Sequence, residues 1–476
     1  MADRRGILSY GAYLPYHQIA RETIAEALGQ PPGAGGRSVA SYDEDTTSMG
    51  VEAARLAMGS APGLQLDGIF FSTASPAYLD KTNATAVHAA LGLPGSVAAY
   101  DTGGAVRSGL GALLVALRGG RPWLAVASDI RTGRPGGTDE MAGGDAAAAF
   151  VVGGDEDGPL LAELVGTGSA TDEFLDRWRL PTEPASHVWE ERFAEQIYTS
   201  LGEHALTDAL KAAGTTMEQI DKIAVCGVHS RAVRILAAAS GRPDAVVADL
   251  TDVVGNPGTA QAGLVLASVL DTAEPDQLVC LVNLADGADV LLLRTTEHLA
   301  EFTPRAHVAS LIESAHGRPS YAQLLSWRGF MDREPPRRPD PMPPASPPSH
   351  RQSHWKFAFE GTRDTSSGAV HLPPQRVSYR GHSVDEMEPV RMADVLARVA
   401  TYSVDRLAYS PSPPLIMAVI DFDGGGRFRC EITDAEPDSV AVGTRVEMTF
   451  RRIFTSESIH NYFWKARPLR INKEGS

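Results

Sequence analysis

Short apolar runs alternate with alanine-rich stretches along about the first 300 positions of the chain. The apolar runs are Gly68–Phe71, Trp123–Ser128, Ala147–Gly153, Lys222–Val228 and Leu278–Leu284. Unbroken apolar runs of this length are typical of strands buried on both faces. The alanine-rich stretches Ser108–Leu117 and Ala260–Leu270 predict helices packed closely on a sheet. The alternation predicts an α/β fold.

The same region shows an internal duplication of order and spacing. Asn83–Leu117 and Arg231–Leu270 each read as a helix, a short strand, a glycine-containing turn and an alanine-rich helix. In the second copy the short strand is Ala245–Leu250. A duplicated unit predicts two related halves, with an active site at the strand ends between them.

The pattern changes in the last third of the chain. Ser320–Met331 predicts a short amphipathic helix, and the proline-rich segment 332–353 predicts an extended linker. Leu415–Asp423, Gly426–Thr433 and Thr444–Phe454 are rich in apolar and β-branched residues, and the glycines at 424–426 suit a hairpin turn. Four or five strands in this space predict a small barrel.

Composition narrows the function classes. The chain has 476 residues and a formal net charge of −16, which argues against a nucleic-acid-binding protein. We find no apolar run approaching ~18 residues, so no membrane segment is expected. The three cysteines are Cys226, Cys280 and Cys430, and they have neither metal-ligand spacing nor an even count. They therefore indicate no disulfide framework and favour a reducing compartment. We expect a cytoplasmic protein.

Four segments carry a resemblance to a known family. They are Tyr100–Leu113, the pair Ala127–Ile130 and Gly143–Gly153, Cys226–Arg234, and Val253–Ala267. In this order they resemble the thiolase superfamily, specifically the branch of HMG-CoA synthase and type-three ketoacyl synthases. The resemblance implies a duplicated αβαβα sandwich and a homodimer formed through it.

The C-terminal part resembles a second family, through Trp355–Gly381, the barrel strands and Ile459–Pro468. That family has an acyl-CoA-associated OB-fold preceded by a rubredoxin-like zinc ribbon, and its members partner thiolases. The resemblance implies acyl-CoA as ligand and a thiolase-family partner subunit. The expected division is a thiolase-like domain at 1–300, a helix and linker at 301–353, a degenerate ribbon at 354–382 and an OB-fold domain at 383–476.

The chain departs from the first family at the chemical positions. The family nucleophile is a cysteine, and the matching position holds Val106, which has no nucleophilic atom. The family's glutamate acid/base corresponds to Ala74. Ser108 is the nearest hydroxyl, but an unassisted serine is a poor replacement.

Two polar residues of the family site are retained. His229 matches the family histidine, which polarises the thioester carbonyl or takes a proton, and Asn256 matches the oxyanion-donating asparagine. They are the candidate catalytic residues, either vestigial or altered in role. Asn256 also suits a simple turn residue, and Cys226 is expected to be a buried small side chain.

The zinc ligands of the second family are missing. The four matching positions hold Asp364, Ser367, Ser378 and Gly381, a poor set for zinc. We therefore expect no metal and no cofactor, with the ribbon held by packing. The packing residues would be Phe357, Phe359, Val370, Leu372 and Val377.

Candidate CoA contacts are cations near the motifs and an aromatic–cationic segment in the barrel. Arg107 follows the nucleophile position, and Arg231 and Arg234 follow His229. In the barrel, Trp464 and Lys465 are candidates, although a mixture of this kind also suits a docking face between domains.

Three functions fit these observations. The first is a catalytically silent component of an acyl-CoA complex that forms or cleaves C–C bonds. The second is an active acyl-CoA enzyme of aldolase, retro-Claisen or acyltransferase type that uses His229 and Asn256 without a covalent acyl-enzyme. The third is a purely structural scaffold.

Overall fold

The computed structural model describes residues 4–337, 339 and 341–470. A large mixed sheet organises the first part of the chain, together with two small two-stranded units. Its strands are β1 (Arg5–Tyr13), β4 (Gly68–Ser72), β5 (Ala98–Asp101), β6 (Trp123–Ile130), β7 (Asp145–Gly154), β8 (Ala162–Ala170), β11 (Lys222–Gly227), β12 (Leu278–Leu284) and β13 (Ala288–Thr295). The two small units are a two-stranded sheet of β2 (His17–Ala20) with β3 (Gly36–Val39), whose strands are joined through a helix, and a hairpin of β9 (Arg177–Trp178) with β10 (His187–Val188).

The helices of this α/β domain connect the strands. They are α1 (Arg21–Ala27), α2 (Thr46–Gly59), α3 (Ala84–Leu91), α4 (Ser108–Arg118), α5 (Thr138–Ala142), α6 (Glu191–Ala213), α7 (Ser230–Ala239) and α8 (Gln261–Leu270). Short 3₁₀ turns lie at Met217–Gln219 and Gly258–Ala260.

The strand order of the sheet confirms the predicted duplication. It reads β11-β12-β13-β8-β1-β7-β6-β4-β5, with β1 and β8 adjacent at the centre. In each direction from this junction come two antiparallel pairings and then a parallel one. The expected strand at 245–250 is the exception, because only Val246 bridges Ile223 there.

The two halves enclose a central helical layer. Helix α8 contacts β7 and β1 of the first half and β11 and β12 of the second, and it packs against α4. The approach is close at Gly109, where a Cβ would lie 2.0 Å from the carbonyl oxygen of Thr259. Helices α2 and α3 cover the outer face of the first half, and α6 and α7 cover that of the second.

A connecting segment wraps the α/β domain before the barrel begins. It contains α9 (His298–Glu301), α10 (Val308–Glu313), α11 (Tyr321–Trp327), α12 (Ser346–Arg351) and a π-helical turn at His354–Ala358. Helix α11 confirms the short helix expected there. At its C-terminus, Arg328 pairs with the fully buried Asp145 of β7, which ties the segment to the core.

The C-terminal part forms a ribbon and a closed barrel. The ribbon consists of β14 (Glu360–Asp364), β15 (Val370–His371) and β16 (Met387–Arg391). The barrel, in the order β17-β18-β19-β21-β20, consists of β17 (Ala397–Asp405), β18 (Leu415–Phe422), β19 (Arg427–Ile432), β20 (Arg445–Ser456) and β21 (Ile459–Pro468). Its closure explains the alternating burial along β18, since side chains of a small barrel point in and out in turn.

Two ribbon details differ from the sequence expectation. Strand β16 pairs with β14, so the ribbon sheet continues to Arg391 and not to residue 382. Val377 is 54% exposed and takes no part in the core, whereas Phe359 is fully buried. No helix among the described residues has the length and apolarity needed to cross a bilayer.

Candidate functional site

A cavity of about 730 Å³ lies where strand ends of the two halves meet. Thr73, Ala74 and Ser75 follow β4, and the turn at 103–106 follows β5. From the other half come Val228 after β11 and Asp286 after β12. The β9–β10 hairpin adds a further wall. The volume of the cavity suits a small-molecule site, since such pockets span about 300–1,000 Å³.

Both chemically altered positions lie on this cavity. Val106 begins the turn into α4 and is 8% exposed, and Ala74 follows β4 on the neighbouring strand end. The turn is held to that strand end because the Gly104 amide donates to the Thr73 carbonyl at 3.1 Å. Ser108, two residues further on at the start of α4, is not among the lining residues. The cavity is therefore lined by the valine and the alanine that the resemblance matches to the family nucleophile and acid.

His229 is placed beside the cavity, but its ring is engaged in the scaffold. It is the N-cap of α7, where Nδ1 accepts from the Ala232 amide at 3.2 Å. Its Nε2 lies 3.0 Å from the carbonyl oxygen of Glu191 at the start of α6. Val228, its neighbour, lines the cavity, and the His229 ring does not. The structure gives His229 the geometry of a capping residue.

Asn256 is likewise used by the backbone. Its Nδ2 donates to the Gly227 carbonyl at 2.8 Å, and its Oδ1 accepts from the Gly258 amide at 2.9 Å. These bonds join the end of β11 to the turn before α8. The side chain is absent from the cavity lining, so an oxyanion role is not favoured by its position.

The candidate CoA arginines have different surroundings. Arg107 donates hydrogen bonds to the Asp289 carboxylate from Nε at 2.7 Å and from Nη2 at 3.0 Å. These bonds link the start of α4 to β13. Arg231 pairs with Glu195 of α6 at 2.8 Å. Arg234 is exposed on α7. None of the three lines the cavity.

Trp464 and Lys465 lie at the junction between the barrel and the rest of the molecule. The Trp464 indole is 1% exposed and donates to the Phe357 carbonyl at 2.8 Å. The Lys465 ammonium is buried and pairs with Asp43 at 2.9 Å and Glu431 at 2.6 Å. This is the docking-face alternative of the sequence interpretation, and these side chains present no free polar group for CoA.

None of the three cysteines reaches the cavity. Cys226, Cys280 and Cys430 are buried on β11, β12 and β19. Burial raises the pKa of Cys280 and Cys430 to about 12, and it raises that of Cys226 as well. Thiols of this kind are inert as nucleophiles at neutral pH.

The sequence reasoning missed four charged residues on the cavity wall. They are Arg131, Arg177, Arg179 and Asp286. Desolvation, with the Asp176 carboxylate, raises the pKa of Asp286. Arg131 follows the predicted strand Trp123–Ser128 by three residues and Asp286 follows Leu278–Leu284 by two, which was an available signal. The two hairpin arginines had none, because the hairpin reaches the site from a distant part of the chain.

The ribbon positions that would hold zinc form a hydrogen-bonded cluster instead. The Asp364 carboxylate accepts from the hydroxyls of Ser366 at 2.8 Å, Ser383 at 2.9 Å and Ser367. The Ser367 and Ser378 hydroxyls are leading causes that lower the pKa of Asp364. A carboxylate surrounded by hydroxyls does not fit the thiolate and imidazole ligands of structural zinc. Among the described residues, no group of three or more His, Cys, Asp or Glu could hold a metal ion.

Sequence comparison finds hydroxymethylglutaryl-CoA synthases among the relatives of the α/β domain. The hydroxymethylglutaryl-CoA synthase of Methanopyrus kandleri is 29% identical over 323 residues, covering 64% of this chain and 91% of that protein. That of Archaeoglobus fulgidus is 28% identical over 329 residues, covering 65% and 94%. A family model described as the C-terminal OB-fold domain of ChsH2 matches residues 390–451.

Solved structures show the same fold. An HMG-CoA synthase complexed with CoA superposes with a TM-score of 0.60 at 18% identity, covering 67% of this chain and 89% of that one. MvaS in complex with 3-hydroxy-3-methylglutaryl coenzyme A gives 0.59 at 22%, covering 72% and 96%. The HMG synthase of the curacin pathway, in complex with apo donor-ACP, gives 0.59 at 19%, covering 68% and 89%.

The fold and these similarities define a class. This chain is a thiolase-fold protein that carries a C-terminal OB-fold domain. Within that class its α/β domain is HMG-CoA synthase-like.

Proposed function

We propose that this protein binds an acyl thioester as an HMG-CoA synthase-like component of a system that forms or cleaves acyl-CoA C–C bonds, and that it forms no covalent acyl-enzyme. The observation that carries this proposal is Val106 on the wall of an open cavity. The cavity lies at the strand ends, and Val106 and Ala74 line it at the positions that match the family nucleophile and the family acid. A thioester can enter such a site, but the Val106 and Ala74 side chains have no atom to which its acyl group could be transferred.

Acyl thioester ligands are supported by what the structural relatives bind. Those proteins were solved in complex with CoA, with 3-hydroxy-3-methylglutaryl coenzyme A and with acyl carrier protein. An acyl-CoA and an acylated carrier protein present the same pantetheine thioester, so the shared chemistry is the acyl thioester itself.

The thioester proposal is tested by binding and intact mass. We expect acetyl-CoA to bind in calorimetry, and the wild-type protein to keep its mass after incubation. The Val106→Cys variant should gain the mass of an acetyl group, because the new thiol would stand at the nucleophile position. Val115→Cys is the control, since Val115 is on the same helix α4 but is 56% exposed away from the cavity. An acyl adduct on the wild-type protein, or no thioester binding, would refute the proposal.

The silent-component form of the function requires partners. A thiolase-family subunit would supply the nucleophile that position 106 lacks, and a homodimer would form through the α/β domain. Strand β5 ends the sheet and carries Tyr100, which is 54% exposed, so this edge is available to a second copy. Co-purification from the native host with mass spectrometry would support the assembly if an intact thiolase accompanies the protein. A lone homodimer would count against it.

Asp286 favours a second candidate, an enzyme of aldolase type without an acyl-enzyme. Its carboxylate could take the hydroxyl proton of a β-hydroxyacyl thioester while the Cα–Cβ bond breaks. The products are a carbonyl compound and a thioester enolate, which the Asp286 carboxyl reprotonates at Cα. Turnover by the isolated protein that is lost in Asp286→Asn would establish this function. Absence of turnover would leave the silent component.

A further inference from the structure

Three guanidinium groups face one wall of the cavity, and they differ in their partners. Arg177 is neutralised, because Asp139 accepts from its Nη1 at 2.6 Å and its Nη2 at 2.9 Å. Among the described residues, neither Arg131 nor Arg179 has a carboxylate oxygen within 4 Å. Their arrangement next to the altered chemical positions calls for a ligand.

Arg131 is the least satisfied of the three. Within the part of the chain that the structure describes, its guanidinium makes no hydrogen bond and has no carboxylate within 4 Å. Burial lowers the pKa of Arg131, and the charges of Arg177 and Arg179 add to this, while Asp129 and Asp139 oppose it. Nearby cations repel one another in a partly desolvated site unless an anion joins them.

Arg179 faces the same space from the β9–β10 hairpin. It donates to the carbonyl of Ala74 and to the Ser75 hydroxyl at 3.3 Å, both neutral acceptors. A guanidinium has five donors in a planar fork, so these contacts leave donors free for a carboxylate.

The position of Arg131 and Arg179 in the cavity determines which part of the ligand they would contact. Arg179 is bonded to Ala74, the position of the lost acid, and Val106 lies on the same cavity. An acyl group would lie there, whereas the phosphates of CoA are separated from the thioester by the length of the pantetheine arm. A carboxylate near the guanidiniums therefore belongs to the acyl group.

We propose that Arg131 and Arg179 form a carboxylate subsite, so that the ligand is the half-thioester of a dicarboxylic acid. This rests on the proposed function, in which the cavity takes an acyl thioester. The acyl chain would run from the thioester near Val106 to a free carboxylate held between the two guanidiniums by charge-assisted hydrogen bonds.

Calorimetry with matched ligands tests the subsite. The probes are glutaryl-CoA, the analogue in which its terminal carboxylate is replaced by a carboxamide, and free CoA. Each is titrated into the full-length protein. We expect glutaryl-CoA to bind about tenfold or more tightly than the carboxamide, in line with hydrogen bonds between charged groups. Arg131→Gln and Arg179→Gln should each lose most of this preference and keep their affinity for the carboxamide and for CoA.

Two further variants keep the test falsifiable. Arg131→Lys retains a charge without the fork and should keep part of the preference. Arg118→Gln is the control, because Arg118 is on α4, outside the cavity, and bonds the Thr167 hydroxyl at 2.8 Å. Melting curves establish that each variant is folded.

The failures of the two proposals are distinguishable. Binding of all acyl-CoA probes without a preference for the carboxylate would overturn the subsite alone. An equal loss of glutaryl-CoA, carboxamide and CoA binding in the arginine variants would assign the guanidiniums to a phosphate, which also overturns it. If no thioester binds, the proposed function fails together with the subsite.

Discussion

The Arg451 guanidinium of the barrel lies 2.6 Å from the Glu44 carboxylate of the α/β domain, with both side chains fully buried. Its other nitrogen contacts Asp434 at 2.5 Å and the Tyr13 hydroxyl at 3.2 Å. Lys465 makes a parallel connection from β21 to Asp43, next to Glu44 in sequence. Buried ion pairs thus join the two domains, and they hold the barrel in one orientation.

We expect Arg451→Met to destabilise the protein by about 3–5 kcal/mol, because it removes the buried cation beside Glu44 and leaves Asp434 with only Arg467 at 3.9 Å. The measurement is urea-induced unfolding followed by tryptophan fluorescence. Arg398→Met is the matched control, since Arg398 is exposed on β17. A loss for Arg451→Met no larger than the ~1 kcal/mol typical of a surface pair would contradict this account.

His229 is expected to act as a helix cap. His229→Ala should cost about 1 kcal/mol of stability through loss of the bond to the Ala232 amide, whereas His229→Asn, which retains a capping acceptor, should recover most of it. Neither variant should change the affinity for acetyl-CoA, which calorimetry would establish. Normal stability with lost thioester binding in His229→Ala would restore the ligand-facing role.

The ribbon should bind zinc if cysteines are introduced at the four positions that match the family ligands. The Asp364 carboxylate is contacted by the Ser367 hydroxyl, and Ser378 also affects its pKa, so these positions converge. A Cβ on Gly381 would meet nothing closer than the Ser366 hydroxyl at 4.0 Å. We expect the quadruple variant Asp364→Cys, Ser367→Cys, Ser378→Cys and Gly381→Cys to retain zinc in elemental analysis.

The triple variant that keeps Gly381 is the control for zinc retention and should hold the metal more weakly. The fourth substitution carries a backbone cost of roughly 1 kcal/mol or more, because Gly381 has φ +83°. A folded quadruple variant that retains no zinc would show that the four positions do not converge as described.

The pH dependence of ligand binding should reveal Asp286. Its pKa is raised by desolvation and by Asp176, with a smaller contribution from Glu173, while Arg107 and Arg177 oppose the shift. The ionised form adds a negative charge to the cavity, so glutaryl-CoA affinity should fall as the pH rises through that raised pKa. Titrations from about pH 5 to 8, above the ordinary range of the ligand carboxylate, measure this.

Asp286→Asn should flatten the pH profile, because the charge that opposes the ligand is removed. The carboxamide analogue lacks the acyl carboxylate but carries the same CoA phosphates, so its pH profile should differ little between the two proteins. An unchanged profile in Asp286→Asn would assign the titration to another group.

The sequence by itself determined the duplicated sheet and the barrel. It also indicated that valine and alanine stand at the positions that match the family nucleophile and acid. Continuous apolar runs mark strands buried on both faces, and this signal is local, so the strands at Trp123 and Leu278 could be read directly. Val106 and Ala74 were identifiable because motif spacing survives at strand ends, and both line the cavity.

Only the tertiary structure decided which way the polar side chains point. The His229 and Asn256 side chains form hydrogen bonds with nearby backbone groups. The backbone dihedrals of their loops set the direction of each side chain, and the spacing of residues in a motif does not specify those dihedrals. Lys465 looked like a ligand contact, but a carboxylate more than 400 residues away in sequence buries it. The hairpin that carries Arg179 reaches the cavity through contacts far apart in the chain, so the charge of the site follows from packing and not from sequence pattern.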